Sequence, residues 1–522
     1  MSATTARGAP ERAPAPASGV DVPNKGIITA SIMLATIMQV LDTTIANVAL
    51  PNMQGSLGAA QDQITWVLTS YIVAAAIMTP VTGWLSDRFG LSRLFIVSVA
   101  GFVVASMACG LSTSLEEMIA FRLLQGLFGA ALVPLSQTVL LNINPKEKHG
   151  QAMAIWGAGI MVGPIVGPTL GGWLTETFNW RYVFFVNLPI GLLALAGMIA
   201  FLPRTMPRPR GFDFFGFAML SLAIGAFQLM LDRGEQVDWF ASPEIWIELG
   251  LAITGAWLFV LHITGTKAPF IDPQIFRDRN FVTALVLIFM VGALLLSGLA
   301  LLPPMLQNIL GYPVVTSGLV LAPRGVGTMI SMILVGRLVG KVDARLLILA
   351  GLSLTALSLW QMSGFSILMD RTPIVVSGVV QGLGLGLVFV PLSTIAFATL
   401  PQRFRTDATS LFSLLRNIGS SVGISIVSTE LAHNIIVNRA ELTSRLTPFN
   451  PNLDAMGAGT GLGPEATLAM MNQSVQAQAA MIAYVDDFKL MMIVTLAVMP
   501  LVLLMRGPKA GAGGGAPHAA LD

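Results

Sequence analysis

The chain is dominated by a succession of apolar runs, each long enough to cross a bilayer. About 20 apolar residues span a hydrocarbon core, and a lone segment there must be helical because only a helix pairs all of its own backbone groups. That criterion predicts spans at 26–50, 63–85, 94–112, 117–142, 151–174, 182–202, 214–231, 246–264, 281–302, 318–339, 346–367, 373–399, 408–430 and 487–505. Fourteen spans make this an all-α, polytopic membrane protein. Only 11% of the residues are charged and the mean hydropathy is +0.75, whereas an ordinary soluble domain is about a quarter charged. A net charge of +2 gives no reason to expect a nucleic-acid partner. The single cysteine, Cys109, allows no intrachain disulfide and reads as a small buried hydrophobe. Residues 1–25 and 506–522, rich in Pro, Ala and Gly, are expected to be disordered tails.

An even number of spans puts both ends on one face, and the basic residues orient it. With the termini inside, inner segments carry 20 Lys and Arg, outer segments 6 and the spans 3. Excess Lys and Arg mark cytoplasmic loops, so both termini are expected in the cytoplasm. Trp66, Trp173, Trp180, Trp239 and Trp246 fall at expected outer ends, where an aromatic belt belongs.

The chain also repeats itself. "QGLFGAALVPLS" at Gln125 returns as "QGLGLGLVFVPLS" at Gln381, 256 residues on, and Pro145, Gly163 and Gly167 match Pro401, Gly419 and Gly423 at the same offset. "GWLSDR" at Gly83 has a degraded echo in "GRLVGK" at Gly336. The expected organisation is two six-helix halves, 26–203 and 281–505, in the same orientation. Two inserted helices lie within 204–280, and a polar outer loop spans 431–486. Parallel six-helix repeats suggest a transporter whose site lies near the midplane between the halves.

Four stretches carry specific chemistry. "LDTTIANVALP" puts Asp42 inside the first span, where an ionisable residue costs several kcal/mol unless paired or hydrated. "RLLQGLFGAA" puts Arg122, Gln125, Gly126 and Gly129 on one face of the fourth span. At 1.5 Å per residue, Arg122 lies about 8 Å and Asp42 about 13 Å from their outer ends, so the two can meet directly or through water. A guanidinium beside Asp42 favours the carboxylate, and separating them favours the acid. A structural ion pair and a snorkelling arginine are the alternatives. Gly378 stands where Arg122 would recur, which confines this chemistry to the first half.

"GWLSDRFGLSR", with Gly83, Asp87, Arg88, Gly90 and Arg93, follows the second span. "GAGIMVGPIVGPTLGGW" spaces Gly159, Gly163, Gly167 and Gly171 four apart, a small-residue ridge for close helix approach, with Gly172 beside it. Pro164 and Pro168 interrupt the same helix and favour a bend.

On these four stretches the chain resembles the major facilitator superfamily, in its fourteen-helix drug:proton antiporter branch (EmrB/QacA type), over residues 26–505. The resemblance implies export of hydrophobic or amphipathic compounds in exchange for protons, with Asp42 as the coupling carboxylate. It makes "GWLSDRFGLSR" a gating latch, although Leu91 and Ser92 replace the basic residues usual there. "GPIVGPTLGG" becomes an antiporter hinge packed between the halves. Gln39, Arg324, Arg416 and Asn417 are candidate cavity polars, or snorkelling side chains. Members in double-membraned bacteria work with a periplasmic adaptor protein and an outer-membrane channel, and residues 431–486 are the candidate contact, or simply a disordered loop. The two inserted helices look peripheral.

No P-loop, metal-ligand cluster or nucleophile elbow with a triad occurs, so neither an enzyme nor a cofactor or metal is expected. A dedicated metabolite exporter, a proton symporter, and a non-transporting membrane enzyme or sensor are the competing readings.

Overall fold

The computed structural model describes residues 23–207, 211–266, 269–444 and 464–505; the expected terminal tails lie outside that set apart from residues 23–25. Thirteen helices are long and apolar enough to cross a membrane, and a bent helix pair makes the fourteenth. In chain order they are α1 (Lys25–Leu57), α2 (Trp66–Met78 and Val81–Phe89), α3 (Leu91–Leu111) and α4 (Leu115–Gly129 and Leu132–Ile143). Next come α5 (His149–Ile160 and Val162–Thr177), α6 (Tyr182–Phe185 and Asn187–Phe201), α7 (Phe214–Arg233) and α8 (Pro243–Gly265). The second half holds α9 (Arg279–Pro304), α10 (Val314–Leu338), α11 (Ala344–Met362), α12 (Thr372–Ala398), α13 (Arg405–Ser444) and α14 (Pro464–Val498). Fourteen crossings leave Lys25 and Met505 on the same side of the bundle, the face that the loop charges make the expected inner one.

Prolines decide where the helices break. Proline removes a backbone donor and its ring crowds the carbonyl four residues earlier. The interruptions of α4, α5 and α6 fall at Ala130–Ala131, Met161 and Val186, three or four residues before Pro134, Pro164 and Pro189. In α2 the two pieces meet at 60° around Thr79 and Pro80. After Pro303 and Pro304, α9 ends in a π turn at Met305–Ile309.

The repeat is visible in the packing. α1 packs on α5 and α6, and α4 on α2 and α3; in the second half α9 packs on α13 and α14, and α12 on α10 and α11. The halves meet chiefly through α5 against α10 and α12, and α13 against α2 and α4. At the seam the Trp156 indole of α5 lies stacked beside Phe389 of α12, ring centroids 6.1 Å apart, and donates to Ser136 Oγ of α4 at 2.8 Å.

Two expectations are corrected. The segment 431–486 is not a loop over its described part, because α13 runs on to Ser444 and α14 begins at Pro464. Its hydropathy falls below the membrane level, but its Ala, Gln, Met, Leu and Glu residues remain good helix formers. Residues 445–463, including most of "TPFNPNLDAMGAGTGLGPEA", lie outside the described residues.

Of the inserted helices, α8 is peripheral and packs on α7, whereas α7 is not. α7 fills the space between α2 of one half and α13 of the other. Its Gln228 donates both to Asp232 Oδ1 (3.0 Å) and to Ser421 Oγ of α13 (2.8 Å). Just beyond α7, Trp239 donates to Thr429 Oγ1 of α13 at 3.0 Å. The α7–α8 hairpin is tied at one end by Asp213 and His262 (2.8 Å) and at the other by Arg233 and Glu244 (2.8 Å). Burial alone would raise the Asp213 carboxyl, but hydrogen bonds from Gly216, His262 and Phe270 outweigh it and leave it below the usual carboxylate range.

Candidate functional site

Asp42 sits nine residues inside α1 from Pro51, on the face that meets α4 and α6. Its side chain is 1% exposed, as is that of Arg122, so the pair is removed from water. Arg122 Nη1 lies 2.8 Å from Asp42 Oδ2, so of the two meetings their similar depths allow, the direct one is made. Oδ1 accepts two more hydrogen bonds, from Gln125 Nε2 (2.8 Å) and Asn187 Nδ2 (2.7 Å). Three donors thus converge on the two carboxyl oxygens.

Each donor is itself held. Arg122 also donates to Gln125 Oε1 (2.7 Å) and to the Val67 carbonyl of α2 (3.0 Å), and its guanidinium lies over the Tyr71 ring at 4.4 Å. Asn187 bridges Asp42 to Ser106 of α3 (2.8 Å), whose hydroxyl donates to the Phe184 carbonyl (2.9 Å). Gln39, one turn before Asp42, donates to the Tyr71 hydroxyl at 3.1 Å. Cys109 is buried, with Sγ 3.6 Å from Gln125 Oε1. Side chains from α1, α2, α3, α4 and α6 therefore converge on one carboxylate. Two acceptors beside it, Gln39 Oε1 and Asn187 Oδ1, are buried without a donor.

Asn187, Ser106 and Tyr71 were not singled out from the sequence. An amide at the outer end of α6 and a serine in α3 are common residues, and Asn187 stands directly after the break in α6.

The glycine ridge of α5 is the seat of the helix that carries Asp42. A Cβ on Gly163 would lie 2.7 Å from Val40 Cγ1, and one on Gly171 would lie 3.1 Å from Ile45 Cγ2. Gly159 and Gly167 take up Met33 and Thr44 in the same way. The glycine ridge itself thus packs within its own half, on α1. The seam is formed by another face of α5, where Ile165, Thr169 and Gly172 meet Gly325, Gly318 and Val314 of α10. Pro164 sits just after the break at Met161, whereas Pro168 lies inside a continuous segment.

The loop motif lies at the inner end of the seam. Gly83 is packed directly against the Asp407 side chain of α13, so a Cβ there would force that carboxyl group to shift. Gly90 ends α2 with φ 85°, and a Cβ there would lie 2.7 Å from the Thr205 carbonyl oxygen. Both constraints at Gly90 demand glycine. Asp87 is half-buried, while Arg88 and Arg93 are exposed. Nearby, Thr138 Oγ1 of α4 and Thr409 Oγ1 of α13 are 2.8 Å apart, and Arg405 Nη1 donates to the Leu141 carbonyl (3.1 Å) and to Asn142 Oδ1 (3.0 Å). The inner ends of the two halves are closed against each other. Arg324, Arg416 and Asn417 are not part of the Asp42 cluster; they belong to the second half.

Two six-helix halves built on one plan, closed at one face and holding a buried charged pair at mid-depth, define a secondary transporter. The model of the Major Facilitator Superfamily matches residues 32–424, and the chain belongs to that superfamily. It is 36% identical over 499 residues to the multidrug export protein EmrB of Escherichia coli (strain K12), covering 94% of this chain and 98% of that protein. It is also 36% identical over 496 residues to the fatty acid resistance protein FarB of Neisseria gonorrhoeae, covering 94% and 97%. The human organic anion transporter MFSD10 (TETRAN) has a similar fold, with a TM-score of 0.59 over 91% of this chain and all of that one, at 14% identity.

Proposed function

We propose that the protein is a proton-coupled antiporter that exports hydrophobic or amphipathic compounds across the cytoplasmic membrane by alternating access. The observation that carries this reading is the Asp42 carboxylate, buried with Arg122 and held by three donors. An acid placed so deep is expected to have a functional role, and the similarity over most of the chain to multidrug export proteins supports export as that role. In this reading Asp42 is ionised in the state closed at the inner face. A proton displaces one donor, with the orphaned Gln39 and Asn187 oxygens beside it as acceptors, and protonation loosens α1 from α4. Because α1 is seated on the α5 ridge and α5 forms the seam, that movement reaches the interface between halves.

Both termini are placed in the cytoplasm by the charge bias of the loops, and the cytoplasmic membrane is the inner one. The parts of α13 and α14 that extend past the outer face are our candidate surface for a periplasmic adaptor leading to an outer-membrane channel.

The test is retention of a lipophilic fluorescent cation in efflux-deficient bacteria expressing wild type or Asp42→Asn at equal levels, with and without an uncoupler. Lower retention with wild type, abolished by both the substitution and the uncoupler, is the expected result. Undiminished export by Asp42→Asn overturns the coupling role of Asp42.

A further inference from the structure

The second half contains a counterpart of the Asp42 site in which the cation is kept and the acid is lost. Met38 and Pro51 of α1 correspond to Met290 and Pro303 of α9, an offset of 252, which carries Asp42 onto Leu294. The offset of 253 that relates Gly83 to Gly336 carries Tyr71 onto Arg324. The offset of 256 that relates Gln125 to Gln381 carries Arg122 onto Gly378. The guanidinium has thus moved from the fourth helix of the repeat to the second, and a leucine stands where the carboxylate was.

We propose that Arg324 binds the anionic head group, carboxylate or sulfonate, of an amphipathic substrate; this rests on the reading of the protein as an exporter of such compounds. Arg324 is 5% exposed, and its one hydrogen bond runs from Nη2 to the Leu295 carbonyl at 3.1 Å, one residue from the position of the lost acid. Nη1 is buried without a partner, and Arg324 forms no ion pair with any described residue. Gln381 is 1% exposed and its Oε1 also has no partner.

Arg324 lies ten residues into α10 from Val314, about 15 Å along the helix, which is mid-membrane. An uncompensated cation at that depth is costly, and among the described residues only the Leu295 carbonyl is hydrogen-bonded to the guanidinium. A bound anion would offset that cost, and the planar fork of arginine matches a carboxylate in two parallel hydrogen bonds. A phospholipid head group stays at the membrane surface, so a transported amphiphile is the anion that reaches this depth. Flanking glycines suit entry: a Cβ on Gly298 would lie 3.3 Å from Nη1, and one on Gly378 would lie 3.5 Å from the Arg324 Cβ. Arg324 is thus flanked by glycines of both α9 and α12. The next residue, Gly325, packs on Ile165 of α5, so the site adjoins the seam.

The test measures binding of a fluorescent long-chain carboxylate and of its methyl ester to the full-length protein in nanodiscs, with protein-free nanodiscs as the blank. Wild type is expected to favour the carboxylate at least tenfold over the ester. Arg324→Gln should bring that ratio close to one, and Arg324→Lys, which keeps the charge but not the fork, should leave an intermediate ratio. Equal binding of the two ligands by wild type, or an unchanged ratio in Arg324→Gln, overturns the proposal. The wild-type comparison decides even where a variant does not fold. A preserved ratio in a protein whose export of the same fluorescent carboxylate survives both Asp42→Asn and the uncoupler would leave the anion site standing and remove the antiport reading.

Discussion

Asp42 and Arg122 stabilise one another only as a pair. Removing one partner of a buried ion pair leaves the other charge uncompensated and typically costs about 3–5 kcal/mol, whereas removing both is far milder. Arg122→Met is therefore expected to lower the thermal unfolding temperature in detergent sharply, and Asp42→Asn combined with Arg122→Met to recover most of the loss without recovering efflux. A double variant as unstable as Arg122→Met alone would mean that Arg122 matters through Val67 and Tyr71 more than through Asp42. Asn187 supplies a charge-assisted hydrogen bond of about 1.5–3 kcal/mol. Asn187→Leu is accordingly expected to lower the unfolding temperature by less than Arg122→Met does, in the same assay. The charged pair was legible in the sequence because two ionisable residues inside spans had matching depths. Asn187 was not, because it stands directly after a break in α6, before a proline whose effect varies with its surroundings.

The same dependence governs the helices. Pro134, Pro164 and Pro189 follow breaks, whereas Pro168, Pro323 and Pro391 lie inside continuous helices. Span positions could be read from hydropathy alone; the fate of each proline could not, since neighbouring helices decide whether its lost hydrogen bond is made good. The inserted α7 was legible as a span but not as a wedge, because its hydrogen bond to α13 runs through Gln228, a residue that carries no positional signal. The α5 ridge yields a sharper expectation. Leucine at Gly163 would need space already filled by Val40, so Gly163→Leu is expected to push α1 away from α5 and abolish efflux. Pro164→Ala creates no clash and should leave the protein folded. If the bend serves switching, its efflux falls while its unfolding temperature holds or rises, and undiminished efflux would make the bend dispensable.

For the whole molecule, alternating access requires that the closed inner face open at some point in each cycle. Its closure is specific: Gly83 against Asp407, Arg405 on the end of α4, and the two buried hydroxyls of Thr138 and Thr409 at 2.8 Å. The last pair bridges the halves directly, and its oxygens are close enough for cysteines at the same positions to approach disulfide geometry. In a Cys109→Ser background, Thr138→Cys with Thr409→Cys is expected to cross-link on mild oxidation, to stop efflux when cross-linked and to regain it on reduction. Either cysteine alone should be insensitive to oxidation. The cross-link ties α4 to α13 and leaves the outer ends free, so ligand access from the outer face should survive while release of the inner face is blocked. Continued efflux by fully cross-linked protein would mean that the inner ends need not part between Thr138 and Thr409, and that the moving boundary lies instead along α5 and α10.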